Sequence, residues 1–439
     1  MLVQKSVPYL SHSLAVHPAA AALARTGRRG FLDRRMISNM SASLGGALFN
    51  APPTKVTTLP NGLRVATQHT FTESATVGVW IDAGSRYETK ETNGTAHFLE
   101  HLAFKGTQRR SRIQLEREVE DIGAHLNAYT SREQTVYYAK TRRECVGQGL
   151  DILSDILQHS KLERRAIEEE RGVILREMEE VNKSLEEVIY DQLHIACFRE
   201  DPLGVTLDVI QVCWRNICSL SSAELRSFLY SVGGIYVRFT HVVDDEHIFL
   251  RWCIYTNLGR SVRKPMRIPS EFLHVTDALG AAGHVAVAFE GVPWTSPDCI
   301  TFMLMQQIVG GYNSAFQGRN GVNFVVDGVV GGDRVDTAYA VGELVYTGYS
   351  FTAFNTCYKD TGLFGFYVAS PEQAVNRAID ELMCSINCLS YSVTEDDLER
   401  AKKQLLTTLF IGLDDTTGGC MCSNVEHRLG QTSIIDIFL

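Results

Sequence analysis

Residues 94–107 read Gly94-Thr-Ala-His97-Phe-Leu-Glu100-His101-Leu-Ala-Phe-Lys-Gly-Thr107. On an α-helix, positions i and i+4 share a face and i+3 lies beside them, at ~100° per residue. His97 and His101 therefore present two imidazoles side by side, with Glu100 next to them. Two such rings can hold Zn²⁺. A catalytic zinc takes three protein ligands and a water, so a third ligand must come from another segment. The ion lowers the pKa of its water to about 7, and Glu100 can then take that proton as general base. Two satisfied histidines on a surface helix would produce the same short pattern.

Working outward, a second acidic segment follows. Ala166–Cys197 reads as one long charged helix, with a candidate break near Asn182–Ser184. With Glu177 as zero, Glu170 falls at ~20° on one side, while Asp191 falls at ~40° and Glu187 at ~80° on the other. If the helix is continuous, four carboxylates share an arc of roughly 100°. One can ligate a metal, one can orient a ligand imidazole and two can receive a cation. A solvated charged face fits the periodicity as well, and at this level both readings stay open.

The surrounding pattern is α+β. Val56–Gln68, interrupted by the turn-like Pro60-Asn-Gly62, and Ala75–Ile81 alternate as strands do. Helical spacing covers Asn93–Phe104, Ile113–Ile122 and Val146–His159, and Thr135–Ala139 is strand-like. From about Pro269 the order restarts: a strand at His284–Glu290, a helix at Ile300–Val309, a strand pair at Phe351–Phe354 and Gly362–Ala369, then helices Glu372–Cys388 and Glu395–Thr408. The expected architecture is two similar lobes, each a mostly antiparallel sheet covered by helices. Their expected limits are 46–268 and 269–439.

Composition excludes several classes. The chain has 439 residues, 45% hydrophobic and 21% charged, enough for sizeable cores without a disulfide staple. No apolar run is long enough for a transmembrane helix. Eleven cysteines, an odd number without a CxxC pair, read as free thiols in a reducing compartment. Residues 1–40 carry six basic residues and one acid, whereas the remainder carries 36 basic and 50 acidic residues. An acidic body argues against nucleic acid as the main partner and tolerates a cationic substrate. Residues 1–45, rich in Arg, Ser and Ala, are expected to be a mitochondrial targeting presequence rather than part of the fold.

Three blocks carry a resemblance: Gly94–Thr107, Gly123-Ala-His-Leu-Asn-Ala-Tyr-Thr-Ser-Arg-Glu-Gln-Thr-Val-Tyr-Tyr138, and Arg171-Gly-Val-Ile-Leu-Arg-Glu177. Together they resemble the pitrilysin–insulysin metallopeptidases, which carry the inverted HxxEH motif, and within them the mitochondrial processing peptidases in their catalytic beta subunits. The match is long and ordered over about residues 55–200. Weaker matches lie at Phe289–Asn313 and Phe351–Tyr367.

The resemblance implies one Zn²⁺ held by His97, His101 and Glu177, with Glu100 as general base and Glu170 orienting a ligand histidine. It implies that Glu187 and Asp191 receive the arginine upstream of a cleavage site. It makes Leu126–Thr130 the edge strand on which an extended substrate is laid, contacted through Asn127, Ala128 and Tyr129. The implied activity is removal of N-terminal presequences from precursors imported into the mitochondrial matrix. The implied partner is the alpha subunit, in a heterodimer. The alternative is a structural core subunit of the cytochrome bc1 complex, associated with the inner membrane, or a protein doing both tasks. His125 and His194 are expected to be surface or packing residues rather than further ligands. Residues 205–268 and 317–346 depart from the family, and the chain stops soon after Glu395–Thr408, so a divergent and shortened second lobe is expected.

Overall fold

The structure, a computed structural model, describes residues 55–69, 72–89, 92–198, 201–204, 235–239, 271–276, 283–313, 350–371, 374–390 and 393–413. The expected presequence, most of 205–268, all of 317–346 and the chain after 413 lie outside the described residues.

The first unit begins with β1 (Lys55–Thr58) and β2 (Arg64–Thr67), joined by the Pro60-Asn-Gly62 turn, and continues to β3 (Ser74–Ile81). Helices α1 (Thr95–Leu102) and α2 (Arg112–Asp121) precede the hairpin β4 (His125–Thr130) and β5 (Thr135–Arg142). Then come α3 (Val146–Gln158), α4 (Arg164–Val181) and α5 (Leu185–Phe198). A further strand, β6 (Ile235–Phe239), pairs parallel with β2 and antiparallel with β3. The resulting six-stranded sheet runs β1-β2-β6-β3-β5-β4. One sheet face, with Val77, Val79, Tyr137 and Ala139, is buried together with Val146, Leu150, Leu153 and Ile156 of α3. Those α3 positions recur at helical spacing, so the amphipathic stripe explains where the helix sits.

The second unit consists of β7 (Glu271–Thr276), β8 (Gly283–Glu290), α6 (Cys299–Val309), β9 (Gly311–Asn313), β10 (Ser350–Cys357), β11 (Gly362–Ser370), α7 (Val375–Cys388) and α8 (Glu395–Leu413). Its sheet runs β7-β8-β11-β10-β9 and is antiparallel throughout the described pairs. Both sheets carry helices, as the α+β reading expects.

The structure corrects one premise. α4 ends at Val181 and α5 restarts at Leu185, so the segment Ala166–Cys197 is two helices and the four acids do not share one continuous arc. The two helices also pack differently. Ile174 of α4 enters the first core. Ile189, Leu193, Cys197 and Phe198 of α5 instead join Ala286, Ala288, Phe354, Tyr358, Leu363 and Tyr367 of the second unit.

Candidate metal centre

Helix α1 is anchored by its apolar face, with Phe98, Leu99 and Leu102 buried. Its start is held by a carboxylate outside the helix. Glu88 accepts hydrogen bonds from the backbone N–H of Gly94 (2.6 Å) and Ala96 (2.8 Å), and from Asn93 Nδ2 (3.1 Å). The positive end of the helix dipole favours an anion here. Burial nonetheless drives the Glu88 carboxyl above the ordinary carboxylate range, against the pull of those donors. Glu88 was not among the residues expected from sequence. It lies six positions before Gly94, outside any capping spacing, so no local pattern reveals it.

Three donors converge beside α1. His97 Nε2 and His101 Nε2 are 3.1 Å apart, His101 Nε2 lies 3.1 Å from Glu177 Oε2, and His97 Nε2 lies 4.0 Å from the same oxygen. Tetrahedral zinc with bonds of ~2.0–2.1 Å to nitrogen and oxygen sets its ligand atoms about 3.3 Å from one another. Two imidazoles and a carboxylate at this spacing therefore fit the ion in both donor type and distance. Among the described residues these three form the one such group.

Glu170 completes the surroundings. His101 Nδ1–H donates to Glu170 Oε1 (3.0 Å), and Lys105 Nζ donates to Glu170 Oε2 (2.5 Å). The carboxylate is buried, yet these two partners hold its pKa below the usual range despite the cost of desolvation. Burial works against a charged His101, but hydrogen bonds to Glu170 and Glu177 outweigh it and raise the pKa to about 9. His97 goes the other way, lowered to about 4 by burial and by the neighbouring His101. Glu177 is held low chiefly by its bond to His101. Burial pushes the Glu100 carboxyl up, against the influence of Thr130 and His101.

The remaining expected residues lie on two other elements. Strand β4 ends the first sheet and pairs only with β5 among the described residues. Ala128 is buried, and Tyr129 packs against Trp80, Val136 and Tyr138. Asn127 donates from Nδ2 to Tyr138 Oη (3.1 Å), and its Oδ1 accepts the backbone N–H of Ala128 (2.9 Å). Glu187, exposed, and Asp191, half-buried, are one turn apart on α5. Asp191 Oδ1 accepts from Arg132 Nη2 (2.5 Å), and Arg132 Nη1 also donates to Leu203 O (3.2 Å).

His125 is exposed at the start of β4. His194 is buried, with Nδ1–H donating to Tyr190 O (2.6 Å) and Nε2 accepting from Tyr358 Oη–H (2.5 Å). Neither histidine belongs to the metal-ligand group.

The β4–β5 turn also ties the two units together. Gly84 approaches it so closely that a Cβ there would lie 2.2 Å from Ser131 O. Arg86 N–H donates to Arg132 O (2.8 Å), and the Arg86 guanidinium donates to Glu133 Oε1 (2.6 Å) and to Asp360 Oδ2 (2.5 Å) of the second unit. Lys359 N–H donates to the same Glu133 oxygen (2.9 Å). No helix among the described residues is long and apolar enough to cross a membrane.

A two-unit α+β fold with an HxxEH helix facing a carboxylate on a separate helix defines a metallopeptidase of the inverted-motif class. Comparison with known proteins specifies the class further. The chain belongs to the insulinase family, peptidase family M16: the family's model matches residues 64–208, and the model of the M16 inactive domain matches 259–405. It is 42% identical over 384 residues to the probable mitochondrial-processing peptidase subunit beta of Arabidopsis thaliana, covering 84% of this chain and 69% of that protein. It is 44% identical over 383 residues to the mitochondrial-processing peptidase subunit beta of Lentinula edodes, covering 83% and 79%. It is 38% identical over 434 residues to the subunit of that name in Rattus norvegicus, covering 92% and 86%.

Proposed function

We propose that this chain is the zinc-binding catalytic subunit of a presequence-removing endopeptidase of mitochondria. The reading rests on one observation: the donors of His97, His101 and Glu177 lie 3.1–4.0 Å apart, beside a Glu100 whose carboxyl is raised. In this reading the three side chains hold Zn²⁺, and Glu170 fixes the ring and tautomer of His101 through Nδ1. When bound, the ion supplies a Lewis acid for the peptide carbonyl and lowers the pKa of water. Glu100 takes a proton from the attacking water on its carboxylate and returns it to the leaving amine nitrogen.

The substrate lies as an added strand along β4 at Asn127, Ala128 and Tyr129, held through main-chain bonds that tolerate varied sequences. Glu187 and Asp191 receive the arginine upstream of the cleaved bond, since two carboxylates around a guanidinium form charge-assisted hydrogen bonds. The chain works in the mitochondrial matrix as a heterodimer with an alpha subunit, and residues 1–45 are its own targeting segment. The relatives' names favour this reading over a core subunit of the cytochrome bc1 complex.

The test is to co-express the chain with an alpha partner and follow cleavage of an Arg-bearing presequence peptide. Chelation should abolish cleavage and added Zn²⁺ should restore it. Activity that persists after complete removal of metal would end this reading.

A further inference from the structure

We infer that Arg132 is a positioning residue that sets the preference for an upstream arginine by fixing the Asp191 carboxylate relative to the substrate strand. The inference rests on the proposed role of Glu187 and Asp191 and deepens it. Arg132 lies in the turn directly after β4, the proposed substrate strand, and is 2% exposed. Its two terminal nitrogens hold two separate elements, Nη2 the Asp191 carboxylate of α5 and Nη1 the carbonyl of Leu203 beyond that helix. The pair is asymmetric: the Arg132 side chain is 3% exposed and that of Asp191 20%, so the guanidinium lies behind and the carboxylate in front.

This asymmetry has a chemical consequence. A guanidinium with two anchors restricts the carboxylate it holds to a narrow set of orientations. Asp191 and Glu187 are at i and i+4 on one helix face, so a fixed Asp191 carboxylate presents a set position beside the Glu187 side chain. Because Arg132 is covalently continuous with β4, its ion pair with Asp191 ties the main-chain lane directly to the arginine-receiving acids of α5. Misplacement of a binding group by an ångström is enough to cost a large factor in rate. A buried ion pair is weak evidence of added stability, which makes orientation the more economical account of why an arginine is buried here. Lysine cannot replace it, having a single nitrogen for two partners 59 and 71 positions away.

The experiment uses the zinc-loaded heterodimer and two presequence peptides that differ only in arginine or its neutral isostere citrulline upstream of the cleaved bond. The readout is the ratio of kcat/KM for the two, with kcat and KM separated. Arg132→Lys and Arg132→Met should each lower the arginine-to-citrulline ratio on the order of tenfold. The loss should appear in KM for the arginine peptide, with cleavage of the citrulline peptide nearly unchanged. In an Asp191→Asn background, Arg132→Met should lower the ratio no further. If Arg132→Met fails to assemble, Arg132→Lys carries the test. Equal losses on both peptides would reduce Arg132 to a structural residue, and a raised ratio in Arg132→Met would make it a source of charge repulsion; either overturns the inference. If Glu187→Gln and Asp191→Asn themselves leave the ratio unchanged, the underlying recognition reading fails instead, and the two failures are distinguishable.

Discussion

Helices α4 and α5 are separated only by Asn182–Ser184, yet they pack into different cores of the molecule. α4 buries Ile174 in the first core and brings Glu170 and Glu177 against α1. α5 lays its apolar stripe on the second sheet, and its acidic face meets the first unit through Arg132. The acids proposed for the metal are therefore fixed within one core, whereas those proposed for substrate depend on how two units meet. Chemistry and recognition should then respond separately to mutation.

The sharpest break is expected at the metal centre. Glu100→Gln should lower cleavage of every substrate on the order of 10³-fold while bound zinc, measured by elemental analysis, stays at the wild-type level. Glu177→Gln should instead lose both zinc and activity. Full zinc content in that variant would remove α4 from the centre.

A smaller effect should come from the contact between the units. The side chains of Arg86 and Glu133 are each 8% exposed, so Arg86→Met leaves a buried carboxylate without its guanidinium. Breaking such a pair costs about 3 kcal/mol, readable by chemical denaturation. The zinc content of the folded variant should not change, because α1 and α4 are held by the first core rather than by this contact. Glu170→Gln should act at the centre as well, weakening metal retention against a chelator about 10–100-fold.

The smallest effect concerns pH and is read at one buried histidine of α5. Burial first, then the nearby Arg132, depresses the His194 pKa well below its usual value, against the pull of Tyr190 O. The unfolded chain then binds the extra proton below pH ~6.5, so stability falls as pH drops beneath that point, by about 1.4 kcal/mol per unit. Denaturation at pH 5.5 and 7.5 should show this slope, and His194→Gln should flatten it. An unchanged slope would place the acid-sensitive group elsewhere.

Much of this was legible in the sequence because it is local. The spacing of His97, Glu100 and His101 is a helical repeat, and the strands around Val77 and Tyr137 alternate with the pleat. Glu170 and Glu177, two turns apart on α4, also follow from periodicity. The arc that included Glu187 and Asp191 did not survive, because a helix break resets the phase. Long-range pairs left no signal at all: Arg86 meets Asp360 across 274 positions, and no periodic pattern spans that distance. Strand β6 was missed for another reason. It arises from 205–268, where the family blocks lapse, and inserts beside β2 and β3, far from it in sequence.

The Asn127 side chain folds back onto the next backbone N–H. A strand that ends a sheet offers unpaired main-chain groups to any extended chain, including another copy of itself. With its Oδ1 on the Ala128 N–H, Asn127 occupies one of the groups that would template such an association. Any chain that docks on this rim must first dislodge an intramolecular bond, so the residue proposed to meet substrate also lowers the tendency of the protein to stack into fibres.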